Sequence, residues 1–175
     1  MSSHLPSEET AMSLLRQAGC SRKVMEHCKA VADFSVEIAE ACREKGLNVD
    51  VNLVRIGALL HDIGRAKTHS VNHGVVGAGI AREFNLPDKL IRIVERHIGS
   101  GITEEEARKL GLPVKSYVPA SLEERVVAYA DKLIEGSTRL PVEVAVERFR
   151  SDKSIPEAAV DRLKQWHSEL SICLK

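Results

Sequence analysis

The sequence is poor in aromatic residues, has no long apolar run and carries no excess of either charge. Phe, Trp and Tyr make up only 3% of the 175 residues, which leaves little material for the stacking platform of a single-strand nucleic-acid binder. Lys and Arg together equal Asp and Glu at 25 each, so the basic field that attracts duplex DNA or an anionic membrane is missing. No apolar run approaches the roughly 18 residues of a spanning helix. This composition favours a small substrate and predicts neither a duplex nucleic acid nor a membrane as partner.

Cysteine is also sparse and irregularly spaced. The four cysteines are Cys20, Cys28, Cys42 and Cys173, and no two of them stand in a Cys-x-x-Cys spacing. Because no signal-peptide pattern precedes them, we expect reduced thiols in a cytoplasmic protein, with Cys28 and Cys42 as small core residues. A chain of 175 residues can bury a core without a covalent staple, and it contains no repeat or linker-like stretch. We therefore expect a single domain over residues 1–175.

Strand-like alternation is missing as well, whereas apolar residues recur at steps of three and four. This pattern predicts an all-α protein of about seven to nine helices. The longest helix is expected over about 22–45, with Gly46 in a left-handed C-terminal cap. Ser121 and Glu124 predict a capping box that opens a helix with Val127 and Ile134 on its buried face. Further helices are expected over 51–61, 73–84 and 88–96. A short helix is expected to follow a Thr103/Glu106 capping box, and two closing helices are expected within 141–175.

Six histidines and aspartates stand out at the edges of these predicted helices. They are His27, His61, Asp62, His73, His97 and Asp131. An unpaired imidazole or carboxylate is costly to bury, so side chains in such apolar patterns need a compensating partner. Imidazole nitrogen and carboxylate oxygen are donors that suit Zn, Mn, Fe, Co or Ni. The series therefore predicts a metal centre, and His4 and His167, which lie outside it, are expected at the surface.

The string Leu59-Leu60-His61-Asp62-Ile63-Gly64, together with His27 and Asp131, resembles the HD superfamily of metal-dependent phosphohydrolases in its HDIG form. The resemblance spans about residues 24–134, and the layout is similar to that of small uncharacterised archaeal HD proteins. It implies an HD-type helical bundle in which His27, His61, Asp62 and Asp131 hold one metal ion. Residues 141–175 are expected to be structural closing helices.

The same resemblance implies a place for a second metal ion. His73 and His97 occupy the positions at which binuclear members supply further ligands, and Asp62 would bridge the two ions. A carboxylate has two oxygens and can bridge ions about 3.5–4 Å apart, and such ions lower the pKa of a bound water. A water activated in this way would cleave a phosphoester without a protein nucleophile. One or two divalent ions per chain are expected, and Mn, Fe, Co, Ni, Zn and Mg remain open.

Three side chains near the His-Asp pair are candidates for substrate contacts. Arg65 and Lys67 can bind phosphate oxygens, and we group them with His61 and Asp62 as the catalytic set, although they can equally be ordinary solvent-facing cations. His69 can contact the substrate or support a ligand from outside. Many relatives carry Lys in place of Arg65, and this Lys is favoured by the binuclear members that use oxygen.

These features predict a phosphohydrolase for a phosphomonoester or phosphodiester, with a nucleotide or cyclic nucleotide as the expected substrate. Two alternatives stay open: a metal- or nucleotide-binding module without turnover, and a binuclear iron oxygenase, which the arginine at position 65 disfavours. The stretch 99–119 is either a lid, with Tyr117 or Lys115 reaching the substrate, or a plain surface connection. The sequence does not specify an oligomeric state.

Overall fold

The computed structural model describes residues 4–152 and 154–174 and is mainly helical in these ranges. The α-helices are α1 (Glu8–Ala18), α2 (Arg22–Glu44), α3 (Val51–Leu60), α4 (His73–Glu83), α5 (Asp88–Arg96), α6 (Glu104–Lys109), α7 (Leu122–Lys132), α8 (Val142–Ser151) and α9 (Glu157–Ser171). A 3₁₀ helix covers Ile63–Ala66, and two short antiparallel strands, β1 (Ile134–Glu135) and β2 (Thr138–Arg139), form a hairpin. Nine α-helices in the described residues confirm the predicted all-α class.

The longest helix, α2, organises the core. Ser21 begins it by accepting a hydrogen bond from the Val24 N–H at 3.3 Å, and Gly46 follows its end with a φ of +83°. Its buried face includes Cys28 and Val31, which are fully shielded from solvent. Helices α3 and α7 pack against α2. The helix predicted over about 22–45 is therefore confirmed, and it joins the elements that carry the His and Asp series.

The stretch 99–119 builds a small apolar cluster of its own. Tyr117 is only 1% exposed, and its hydroxyl donates to the Pro113 carbonyl at 2.9 Å. Lys115 forms an ion pair with the buried Glu95 at 2.8 Å. Both side chains are engaged within the fold instead of being presented to a substrate. The cluster consists of Ile102, Ala107, Leu112 and Tyr117.

Both ends of α7 differ from the sequence prediction. The Ser121 hydroxyl accepts from the Glu124 N–H, as expected, but the Glu124 carboxylate accepts from the Ala120 N–H at 2.9 Å, one residue before the position that a capping box requires. At the other end, α7 stops at Lys132, and Ile134 lies in β1 instead of on the helix. Two-residue strands are too short to produce a readable alternation in the sequence.

Helix α1 and His167 also depart from expectation. Helix α1 is not among the predicted helices, although Ser7 caps its start by accepting from the Thr10 N–H at 3.1 Å and Gly19 follows its end at a φ of +96°. His167, expected at the surface, is half-buried, and its Nδ1 lies 2.8 Å from the Tyr129 hydroxyl oxygen. The packing of α9 on α7 creates this contact, which no local pattern reveals.

The four cysteines are all buried free thiols, and Cys28 and Cys42 are core residues as predicted. Burial raises the pKa of Cys20 to about 11 and that of Cys42 to about 12. Both groups therefore remain thiols near neutral pH. Within the described ranges, no helix has both the length and the apolarity needed to cross a membrane.

Candidate metal centre

Five helices bring the six predicted ligand side chains together, several of them at helix ends. His61 is fully buried and His97 is 2% exposed, whereas the side chains of His27 and Asp131 are 16% and 10% exposed. The cluster therefore lies largely inside the core, where uncompensated polar groups are costly. The positions are the second turn of α2 (His27), the end of α3 (His61 and Asp62), the start of α4 (His73), the end of α5 (His97) and the last turn of α7 (Asp131).

Backbone carbonyls hold the four imidazoles in one orientation. A carbonyl can only accept, so each neutral ring carries its proton on Nδ1 and turns the lone pair of Nε2 towards the cluster. For His61 and His97 the carbonyl belongs to the residue three positions earlier, in the last turn of a helix. This tautomer is the one that an Nε2 metal ligand requires. The Nδ1–O distances are 2.8 Å for His27 to Gly136, 2.6 Å for His61 to Ala58, 2.7 Å for His73 to Ser70 and 2.8 Å for His97 to Val94.

The Asp62 carboxylate lies between two pairs of imidazoles. Its Oδ1 is 3.2 Å from the Nε2 of His73 and 3.3 Å from that of His97. Its Oδ2 is 3.9 Å from the Nε2 of His27 and 3.8 Å from that of His61. Each oxygen of one carboxylate thus faces a different pair, an arrangement that allows Asp62 to contact two cations.

Asp131 completes the pair of His27 and His61. Its Oδ1 lies 2.9 Å from the His27 Nε2 and 3.4 Å from the His61 Nε2. The ligand atoms of these three residues all lie within 4.8 Å of one another, and the same holds for His61, Asp62 and His97. Both sets are compact enough to hold a metal ion.

The electrostatics of the cluster suit a divalent cation. Burial opposes the charge of the Asp62 and Asp131 carboxylates, but His61 beside Asp62 and Lys132 beside Asp131 keep both pKa values well below the usual range. Burial lowers the pKa of His97 to about 4, so this ring is neutral at pH 7. Burial also opposes charge on His61, yet Asp62 raises its pKa, and a metal ion would displace that proton. The buried His61 Nε2 and Asp62 Oδ1 make no hydrogen bond to any residue in the described ranges, as expected of atoms that a cation would satisfy.

Close backbone contact brings His73 to the His-Asp pair. A Cβ on Gly64, in the 3₁₀ helix, would stand 1.9 Å from the His73 carbonyl oxygen and 2.7 Å from the Gly77 nitrogen. A Cβ on Gly77 would in turn stand 2.8 Å from a methyl carbon of Val94. Glycine at these positions is therefore required for α4 to approach the centre.

A cavity of about 430 Å³ opens beside the centre. Arg65 and His69 line it, and the Arg65 Nε donates to the Asp62 Oδ2 at 3.0 Å. Lys67 is exposed and lies outside the described lining of this cavity. The structure thus brings Arg65 and His69, but not Lys67, to the site. His73, His97 and Asp131 also line the cavity, so it reaches the candidate metal centre.

The closing helices also contribute to the cavity wall. Phe149 of α8 lines the cavity, and its ring lies 3.5 Å from where a Cβ on Gly99 would stand. Ile155 and Lys132 belong to the same wall. The expectation that residues 141–175 are only structural is therefore corrected. The position of Lys132 next to Asp131 could have indicated from the sequence that Lys132 lies at the site. Phe149 and Ile155 reach the site only through tertiary packing.

Fold and site together define a helical domain built around a buried His and Asp cluster, with the His61-Asp62 pair at its centre. The sequence model of the HD domain matches residues 24–136. The chain therefore belongs to the HD domain family, as the HDIG string predicts.

Comparison with known proteins finds relatives that are similar in sequence and a solved structure with a similar fold. An uncharacterised protein of Methanocaldococcus jannaschii is 47% identical over 95% of this chain and 98% of its own length. A tRNA (cytidine(56)-2'-O)-methyltransferase of Thermoplasma volcanium is 44% identical over 95% of this chain, which spans about half (47%) of that protein. The HD domain of the L. monocytogenes phosphodiesterase PgpH, solved in complex with cyclic-di-AMP, superposes with a TM-score of 0.54 at 16% identity, over 90% of this chain and 92% of that one.

Proposed function

We propose that this protein is a metal-dependent phosphohydrolase that cleaves a phosphomonoester or phosphodiester of a nucleotide with a metal-activated water. The observation that carries the proposal is the position of the Asp62 carboxylate, whose two oxygens face different pairs of Nε2 atoms. Membership of the HD domain family and the fold shared with a phosphodiesterase HD domain support it.

The donor set fits two divalent ions. When bound, such ions would lower the pKa of a coordinated water and neutralise the oxygens of the phosphoryl group. Imidazole nitrogens and carboxylate oxygens accept Mn, Fe, Co, Ni, Zn or Mg, and supply in the cell decides among them. In this proposal one ion is held by His27, His61 and Asp131, the other by His73 and His97, and Asp62 contacts both.

Residues outside the metal centre bind and orient the substrate. The Arg65 side chain is 30% exposed and lies against Asp62, so its planar guanidinium can bind two oxygens of a phosphoryl group without leaving the centre. His69 lies on the cavity wall and can contact the rest of the substrate. Lys67, which is exposed, stays a predicted phosphate contact that would have to approach from outside the cavity.

A substrate within RNA is a second candidate. It is favoured by the relative named as a tRNA methyltransferase, which contains a region 44% identical to this chain. The equal numbers of basic and acidic residues disfavour a long RNA, because phosphate contacts dominate such affinities. A short oligonucleotide therefore belongs in the substrate panel.

The experiment is product release by Mn-loaded protein from nucleotides, cyclic nucleotides, generic phosphoesters and a short RNA. Asp62→Ala should abolish turnover, because it removes both oxygens that face the imidazole pairs. Asp33→Ala, which removes an exposed carboxylate of α2, is the matched control and should retain wild-type turnover.

Three other results would redirect the interpretation. Full turnover in Asp62→Ala would contradict the proposed centre. Metal binding by the wild-type protein without hydrolysis of any ester would favour the binding module. Oxygen consumption by the iron-loaded protein, without hydrolysis, would favour the oxygenase.

A further inference from the structure

The cavity beside the metal centre continues into a second cavity of equal size. Each has a volume of about 430 Å³, within the usual range for small-molecule sites, and together they form one cleft with two lobes. His73 and His97 line the first lobe, and the second is lined by residues of the β1–β2 hairpin and α8. The residues shared by both walls are Arg65, Asp131, Lys132, Phe149, Asp152 and Ile155.

The junction of the lobes carries two cations, Arg65 and Lys132, and two carboxylates, Asp131 and Asp152. Asp131 belongs to the metal centre, and the Lys132 Nζ lies 3.0 Å from its Oδ2. The Arg65 guanidinium lies beside Asp62. Lys132 and Arg65 keep 25% and 30% of their side chains exposed, so both can reach a bound anion. A phosphoryl group at the junction would therefore meet the metal centre and two cations together.

Away from the junction, the wall of each lobe contains both apolar and polar residues. Phe149 stands at the junction with its ring against the Gly99 backbone, where it can pack on a planar group. Arg148 lines the second lobe, where it pairs with Glu135. The apolar residues are Ile98, Ile102 and Leu110 in the first lobe and Ile134, Leu140 and Ala145 in the second.

A phosphomonoester has one organic group and would leave one lobe to water, whereas a phosphodiester has an organic group on each side of phosphorus. Building on the proposed function, the geometry points to a phosphodiester with two nucleoside-sized groups, such as a linear or cyclic dinucleotide, as the substrate. Arg148 and Phe149 are the residues that select it. Hydrolysis breaks the bond from phosphorus to one nucleoside oxygen and joins the hydroxyl of water to phosphorus. The remaining proton of that water goes to the departing oxygen, which leaves a phosphomonoester and a free hydroxyl.

The test compares a dinucleotide with a mononucleotide in binding and in turnover. The Kd of Mn-loaded protein would be measured by calorimetry for adenosine 5'-monophosphorothioate and for a phosphorothioate-linked diadenylate, two ligands that resist hydrolysis. Wild-type protein should bind the dinucleotide about tenfold more tightly or better, because a second base is packed. Arg148→Ala should reduce this preference about tenfold through loss of a charged contact in the second lobe. Arg150→Ala, which removes an exposed arginine of the same helix, should preserve it.

Turnover separates this inference from the proposed function. Equal Kd values for the two ligands in the wild-type protein, or equal losses of both in Arg148→Ala, would overturn the inference even if esters are cleaved. Failure of the proposed function would instead appear as no hydrolysis of bis(p-nitrophenyl) phosphate or of diadenylate by the Mn-loaded protein, whatever its binding preference.

Discussion

At the scale of single residues, the centre depends on which ring nitrogen is free. Four imidazoles donate through Nδ1 to carbonyl oxygens at 2.6–2.8 Å. All four Nε2 atoms face the carboxylate of Asp62 or that of Asp131. A core histidine needs a partner for both nitrogens to offset burial. Here the second nitrogen of His61 has no such hydrogen bond within the described ranges, which is the condition expected of a nitrogen that would bind a metal ion.

His97→Ala distinguishes one metal ion from two. If two ions bind, the variant should retain one ion per chain, held by the ligands around Asp131, and lose about 100-fold or more in kcat/KM, because the second ion would no longer be held. Metal content of purified, Mn-loaded protein measures the change. His167→Ala, which alters a half-buried histidine that pairs with Tyr129, is the matched control and should keep both ions. One ion in the wild-type protein and in His97→Ala alike would establish a mononuclear centre.

The two cations that follow the His-Asp pair should differ in effect. Arg65→Ala should raise KM by about 10- to 100-fold, since a charge-assisted hydrogen bond contributes about 1.5–3 kcal/mol. Lys67→Ala should have a smaller effect, because Lys67 is exposed outside the cavity lining. Steady-state kinetics on the best ester found would show the difference, with Lys23→Ala, an exposed lysine of α2, as control. An equal rise in KM for Lys67→Ala would show that Lys67 does reach the phosphate.

At the scale of elements, the centre is assembled by short distances between backbones. Helix α4 lies against the 3₁₀ helix because both present glycine at the contact. The same contact fixes the first residue of α4, His73, next to Asp62 at 3.2 Å. Gly74 and Gly77 lower the intrinsic helix propensity of α4, and both lie where a Cβ would stand within 3.0 Å of a neighbouring residue.

Two glycine-to-alanine substitutions test this contact. Gly64→Ala should lower the free energy of unfolding by about 2–3 kcal/mol and reduce metal content, because the added methyl group overlaps the His73 carbonyl. Gly79→Ala lies in α4 with no atom within 4 Å of the new Cβ, and it should raise the free energy of unfolding by about 0.5–1 kcal/mol. Urea denaturation of the metal-free proteins measures the free energy of unfolding of both variants, and metal analysis of Mn-loaded Gly64→Ala measures its metal content. Equal effects of the two substitutions would mean that the contact does not position α4.

The sequence predicts these elements unevenly. The helices that carry ligands are predicted within one or two residues, since their apolar periodicity and flanking Gly46 or Pro87 are local signals. The HDIG string with His27 and Asp131 predicts the four-residue core of the candidate site, and the family resemblance adds His73 and His97 to it. No sequence pattern shows that the two oxygens of Asp62 face different imidazole pairs. Phe149 and Arg148 lie on an ordinary amphipathic helix, and only the tertiary packing of α8 places them on the cleft.

At the scale of the whole molecule, the closing helices connect the core to the cleft. From α9, the Arg162 Nη2 donates to the Gly101 carbonyl at 3.0 Å and to Glu106 at 2.9 Å, and the Ser100 hydroxyl donates to the Ala159 carbonyl at 2.5 Å. These contacts hold residues 99–106 against α9, on the wall of the first lobe. The wall of the cleft therefore includes residues of α8 and α9, which lie beyond the range 24–136 that the HD model matches.

Because the proposed ligands come from five helices, metal binding should stabilise the molecule as a whole. A ligand that binds only the folded state at 100 times its Kd adds about 2.7 kcal/mol to the free energy of unfolding. For a domain of this size, that gain corresponds to a rise in Tm of roughly 5–10 °C for one ion and more for two. Thermal unfolding of wild-type protein with Mn or with chelator measures the rise.

Asp62→Asn supplies the control for this stabilisation, because it keeps the shape of the side chain but removes the charge that both imidazole pairs face. The variant should fold in chelator, and its Tm should respond little to Mn. Asp33→Asn, on the exposed face of α2, should show the wild-type rise. An equal rise in Asp62→Asn and wild type would mean that Mn stabilises the protein through a site other than this centre, and the two-ion arrangement around Asp62 would then have to be abandoned.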